Sequence, residues 1–142
     1  MSDQKPKLEV EVIKSSQRWR IKPHTNGAES LNYSYEALSH HMSDKMMFPY
    51  LVTIPPSHGK SIEPSSHDGE EFIYILSGSI KANIDKESYH LKKGDTVYFD
   101  PAINHNFINE GYTDAQVLVC LINKKNNSMP LNAFERAYGD LK

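Results

Sequence analysis

Short runs of alternating apolar and polar residues recur along this chain, and most of them end at glycine, proline, asparagine or aspartate. Alternation with period two puts successive side chains on opposite faces of a β-strand. Residues 8–13 show it clearly and residues 19–22 more weakly, so N-terminal strands are predicted within 8–38, each with one face toward water. Residues 24–29 read as a turn-rich loop. Residues 31–38 are ambiguous, because Tyr33 and Tyr35 alternate while Glu36, Ala37 and Leu38 suit a helical turn. Residues 46–54 predict a strand, and Pro49, which has no N–H, predicts an edge position or a bulge there. Residues 71–76 and 79–84 flank Ser77-Gly78 and together read as a hairpin. Shorter strands are predicted at 88–91, 96–99 and 106–108, and a longer one at 115–122.

The period changes at the end of the chain. Leu131, Phe134, Tyr138 and Leu141 recur at helical spacing. They predict a short amphipathic helix over about 129–141, packed on the strands or on a second subunit. About eight to ten short strands at near-regular spacing describe an all-β sandwich or barrel. With 142 residues, no repeats and no low-complexity tract, a single domain spanning 1–142 is expected.

Charge narrows the partners. The formal net charge is −2 and the pI about 6.4, so no basic surface is expected to recruit nucleic acid or an anionic membrane. The pairs Lys92-Lys93 and Lys124-Lys125 read as solvated turns. Cys120, the single cysteine, lies in the apolar run 115–122 and is expected to be a buried, inert thiol. Residues 1–7 are polar with no apolar stretch behind them, which predicts no signal peptide, and no run approaches the ~20 apolar residues of a spanning helix. The expectation is a cytoplasmic protein.

Two cassettes carry the candidate chemistry. The first runs Gly59-x5-Ser65-x-His67-x3-Glu71-x6-Gly78, and the second Gly94-x5-Asp100-x-Ala102-x2-His105-x3-Asn109. If 63–67 is extended, Glu63, Ser65 and His67 share one face. Glu71 follows the Asp68-Gly69 turn and shares a face with Ile73 and Ile75. In a folded-over sheet, His105, Phe107 and Asn109 can point into the same interior. Two imidazoles and one carboxylate suit a divalent first-row metal. The plainer alternative is a polar cavity in which the trio only hydrogen-bonds. Asn109 reads as a structural hydrogen-bonder. Tyr50, Tyr74, Tyr98 and Phe107 are candidates to line a cavity, and His24, His40, His41, His58 and His90 read as bystanders.

These cassettes resemble the two motifs of the cupin superfamily, Gly-x5-His-x-His-x3-4-Glu-x6-Gly and Gly-x5-Pro-x-Gly-x2-His-x3-Asn. The match holds at Gly59, His67, Glu71, Gly78, Gly94, His105 and Asn109, and covers about residues 46–122. It departs at Ser65, Asp100 and Ala102, where the family has histidine, proline and glycine. The resemblance implies a cupin-type jelly-roll β-barrel. It further implies that His67, Glu71 and His105 are ligands of one divalent transition metal per chain (Fe, Mn, Ni or Zn). Ser65 then stands where a further ligand is missing, and Glu63 is a candidate contact to bound water or substrate.

Residues 46–50 and 66–78 are also similar to the cupin sensor half of helix-turn-helix regulators and to hydroxypropylphosphonate epoxidase. Those relatives carry a DNA-binding module ahead of the barrel. Here the preceding 45 or so residues alternate like strands, so the expectation is a barrel without a DNA reader. Two functions stay open: a metal-dependent enzyme of oxygenase, epoxidase or isomerase type acting on a small polar molecule, or a non-catalytic sensor barrel. Residues 71–76 read as apolar on both faces, which predicts burial against another sheet or subunit and hence a homodimer.

Overall fold

The computed structural model describes residues 8–21 and 32–123. The helix expected at about 129–141 lies outside the described residues. Nine strands are present among them: β1 (Trp19–Ile21), β2 (Ser34–Ala37), β3 (Met47–Ile54), β4 (Glu70–Ser77), β5 (Ser79–Ile84), β6 (Glu87–Lys92), β7 (Thr96–Phe99), β8 (His105–Ile108) and β9 (Ala115–Ile122). They form a six-stranded sheet in the order β1-β2-β3-β9-β4-β7 and a three-stranded sheet in the order β6-β5-β8. The chain is therefore all-β, with two antiparallel sheets facing one another across a common core.

Alternation decides which side chains fill that core. On β3, Phe48, Tyr50, Val52 and Ile54 point inward; on β9, Ala115, Val117, Val119 and Leu121 do. Ile73 and Ile75 of β4 meet Ile80, Ala82 and Ile84 of β5 and Phe107 of β8 in the same cluster. Each fully buried aliphatic side chain here is worth roughly 1.5–3 kcal/mol relative to exposure. β6 contributes little beyond Leu91 and is an exposed edge.

Several expectations need correction. Residues 8–13 enter no ladder, and Val10 and Val12 are 71% and 72% exposed. What holds this segment is polar: the Glu11 carboxylate accepts hydrogen bonds from the Ser39 hydroxyl and from the backbone N–H groups of His40, His41 and Met42. Pro49 occupies neither an edge nor a bulge, since β3 lies between β2 and β9 and pairs with β9 in unbroken register. The β2 ladder ends at Ala37↔Tyr50, and Leu38 N–H then donates to the Pro49 carbonyl. The missing proline N–H thus falls where no partner strand asks for it.

The expected hairpin across Ser77-Gly78 is a corner instead. β4 pairs with β7 and β9 in the large sheet, whereas β5 pairs with β6 and β8 in the small one. Gly78 makes the crossing with φ 75°, and a Cβ there would lie 2.8 Å from the Ala115 Cα. Only glycine fits both demands.

β4 is not buried on both faces. Ile73 and Ile75 are sealed inside, but Tyr74 and Leu76 are exposed on the outer face. There Phe72 lies opposite Tyr98 and Cys120, and Tyr74 opposite Leu118, giving an apolar outer surface across β7, β4 and β9. Cys120 belongs to this surface and is half-buried rather than enclosed; its partial burial pushes the thiol pKa up.

Candidate metal centre

Three different segments deliver the candidate ligands. Glu71 is on β4 two residues before Ile73, at a position where the alternation demands an inward side chain. His105 opens β8 and faces the same interior. His67 sits in the connection before β4, tied down by its N–H to the Pro101 carbonyl. The Asp68-Gly69 turn then reverses the chain toward Glu71. Gly69 has φ 115°, and a Cβ on it would stand 1.9 Å from the Ile122 carbonyl oxygen, so this turn is built on glycine.

The structure brings all three side chains together. One ligand atom from each of His67, Glu71 and His105 lies within 4.8 Å of the others, and all three residues are buried. Glu71 Oε1 is 3.2 Å from His67 Nε2 and 3.6 Å from His105 Nε2. Glu71 is only 3% exposed and His105 1%. An ionised carboxylate at this depth costs several kcal/mol unless a cation or hydrogen bonds compensate it.

The donor set fits a cation. His105 Nδ1 lies 2.8 Å from the Ile103 carbonyl, and His67 Nδ1 lies 3.3 Å from the Asp68 carbonyl. A carbonyl only accepts, so each ring directs its N–H outward and leaves the Nε2 lone pair facing the trio, the arrangement typical of metal-binding imidazoles. His67 Nε2, His105 Nε2 and Glu71 Oε1 are all buried without a hydrogen-bond partner. The 3.2 Å His67–Glu71 approach is short enough for an ion pair but lacks hydrogen-bond geometry, and we read it as two lone-pair atoms converging on one point. Burial pulls the His105 pKa down, the direction that favours the neutral imidazole. Burial acts the same way on His67, but the adjoining Glu71 carboxylate outweighs it and the net shift is upward.

Ser65 is the cross-strand partner of His105, each donating its N–H to the other's carbonyl, at 2.9 and 3.0 Å. Directly opposed residues in an antiparallel pair present their side chains on the same side. Ser65 therefore stands beside the trio. Glu63 lies farther out, exposed, but still lines the same interior space as Ser65 and His105. Asn109 holds the second cassette together: its Nδ2 donates to the Ile54 and Thr113 carbonyls and its Oδ1 accepts from Gly111 N–H.

Strand alternation links the trio to a cavity. Moving two residues from each ligand reaches Ser65, Ile73 and Phe107, and all three line it. Of the aromatics considered from sequence, Phe107 does line this space, Tyr50 is core, and Tyr74 and Tyr98 face outward. Sequence reasoning missed Tyr33 and Tyr35, which line the cavity from the region before β3. Their period-two spacing was the available signal. Phe99 was missed too; its ring stands 4.9 Å from that of His105.

The cupin-domain family model matches residues 50–121, and the chain belongs to this family. An uncharacterized protein of Methanocaldococcus jannaschii is 34% identical over 67 residues, which is 47% of this chain and 54% of that one. The chain thus spans about half the length of the curated relative it matches.

Among solved structures, the hydroxypropylphosphonic acid epoxidase from S. wedmorenis superposes with a TM-score of 0.65 at 20% identity, over 80% of this chain and 59% of that one. A sugar phosphate isomerase of the cupin superfamily from Silicibacter pomeroyi gives 0.65 at 17% identity, over 80% and 76%. The cupin domain of an XRE-family transcriptional regulator from Enterobacter cloacae gives 0.59 at 17% identity, over 66% and 98%. These likenesses establish the fold.

Proposed function

We propose that this chain is a metal-dependent cupin acting on a small molecule, with His67, Glu71 and His105 holding one divalent transition metal. The observation that carries the reading is the set of three buried, partnerless donor atoms converging on one point. Bound there, such an ion supplies Lewis acidity and coordination positions left open by the protein. The chain's own residues do the rest. Ile103 and Asp68 carbonyls fix the two imidazole orientations, Glu71 lowers the net charge of the centre, and the enclosing barrel limits water. Ser65, short where the family has histidine, leaves room beside His105 for a ligand and places a hydroxyl near it.

An oxygenase-, epoxidase- or isomerase-type reaction is the class we favour, in keeping with the printed activities of the epoxidase and the isomerase that share the fold. A sensor barrel is the second reading, supported by the likeness to the regulator's cupin domain, which this chain covers almost entirely. We also propose a homodimer formed through the apolar outer face of β7, β4 and β9.

Elemental analysis of anaerobically purified protein tests the centre. About one equivalent of metal is expected in the wild type, lost in both Glu71→Ala and His105→Ala. Folded wild-type protein that neither retains nor takes up metal overturns the reading.

A further inference from the structure

The cavity that reaches His105 has a chemistry of its own. Its apolar walls include Ile73, Val117, Val119 and Leu121 from the large sheet, Phe107 from the small one, and Ile62 from the connection between β3 and β4. Among the described residues, lysine and arginine are absent from the lining. The acidic side chain it does contain is Glu63, and Glu63 is exposed, which marks where the space opens. Two polar side chains on the wall are already engaged: the Tyr33 hydroxyl donates to the Phe107 carbonyl, and the Asn106 amide donates to the Ile62 carbonyl at 2.7 Å.

Resting on the metal reading above, we infer that the ligand of this site has one donor group for the metal and a short, uncharged, apolar remainder. The cavity excludes molecules whose far end carries a phosphate or phosphonate. A dianionic group brought into this space would leave water for a wall with no lysine or arginine among its described residues and would approach Glu63, a like charge. An aliphatic end gains from burial against isoleucine, valine and leucine side chains. The expected small polar substrate is thereby narrowed to one whose polarity is confined to the end that meets the metal. It also separates this chain from the phosphonate- and sugar-phosphate-directed proteins that share its fold.

The test uses cobalt(II)-loaded chain and three probes with one metal-binding head: acetohydroxamate, butyrohydroxamate and 3-phosphonopropionohydroxamate. Binding is read from the visible bands of the bound cobalt. Lengthening the tail from methyl to propyl is expected to tighten binding roughly ten-fold, and the terminal phosphonate is expected to abolish that gain. A phosphonate-tailed probe that binds as tightly as the propyl one overturns the inference, as does equal binding of the two alkyl probes. Glu63→Lys, at an exposed position on the cavity wall, is expected to recover phosphonate binding. No recovery there would count against the placement.

Failure of the metal reading shows separately, as the absence of any cobalt band with the folded chain. In that event the comparison passes to methyl proton–carbon spectra of the metal-free chain. Shifts of the Ile73, Val117 and Val119 methyl signals with n-propanol, and none with 3-hydroxypropylphosphonate, uphold the inference. The reverse pattern overturns it.

Discussion

Ser65 is the residue at which this chain departs from the pattern of its family's first motif, and its geometry makes the departure testable. Because Ser65 and His105 are mutually hydrogen-bonded cross-strand partners, an imidazole at 65 would emerge on the same side as the His105 ring. Ser65→His is expected to lower the metal dissociation constant by about ten-fold, by adding a fourth protein ligand. Competition with a coloured chelator measures it; an unchanged constant would show that position 65 does not face the centre. Asn109 makes a different contribution. Three hydrogen bonds from one buried amide hold the end of β3 to the loop before β9. Asn109→Ala is expected to cost about 3 kcal/mol at roughly 1 kcal/mol per bond, read from urea unfolding, with metal stoichiometry retained in the folded fraction.

At the scale of elements, what could be read from the chain depended on whether a feature is decided locally. β9 was legible as a strand, since residues 115–122 are a short apolar run, but its buried face was not, because both faces are apolar in sequence and only the fold turns Cys120 outward. Both motif turns were legible because glycines mark positive φ. The β4–β5 relationship was not, because a two-residue Ser-Gly link suits a tight hairpin equally well and the choice falls to ladders with β9, β7, β6 and β8. Residues 8–13 misled for the opposite reason: their alternation is real, but among the described residues no strand pairs with them, and Glu11 anchors them through a turn instead. That anchor titrates. Partial burial pushes the Glu11 pKa up, but its four hydrogen bonds outweigh this and bring it to about 2, from 4.5. A depressed carboxylate stabilises the fold above pH 4.5 and loses that contribution as pH falls toward 2. Melting temperatures of wild type and Glu11→Gln should therefore differ at pH 7 and converge across that acid interval; a constant gap would remove Glu11 from the anchor.

For the whole molecule, the outer face of the six-stranded sheet bears on assembly. Tyr98, at 61% exposure, continues a row through Phe72 to Cys120, with Tyr74 and Leu118 in the next. An apolar sheet face of this kind is commonly covered by another copy in symmetric oligomers. Light scattering at micromolar concentration is expected to give twice the chain mass, and Tyr74→Lys with Tyr98→Lys to give the monomer with its metal content intact. A monomeric wild type removes the dimer. The strand order has a further consequence, for synthesis. β9 lies between β3 and β4, so the wide sheet stays split into two parts until residue 122 has left the ribosome. Glu71 sits on the strand awaiting that insertion. During translation the nascent chain thus carries the two imidazoles and the carboxylate of the site for some seconds before the scaffold that aligns them can close, and the proposed cation capture would wait for β9.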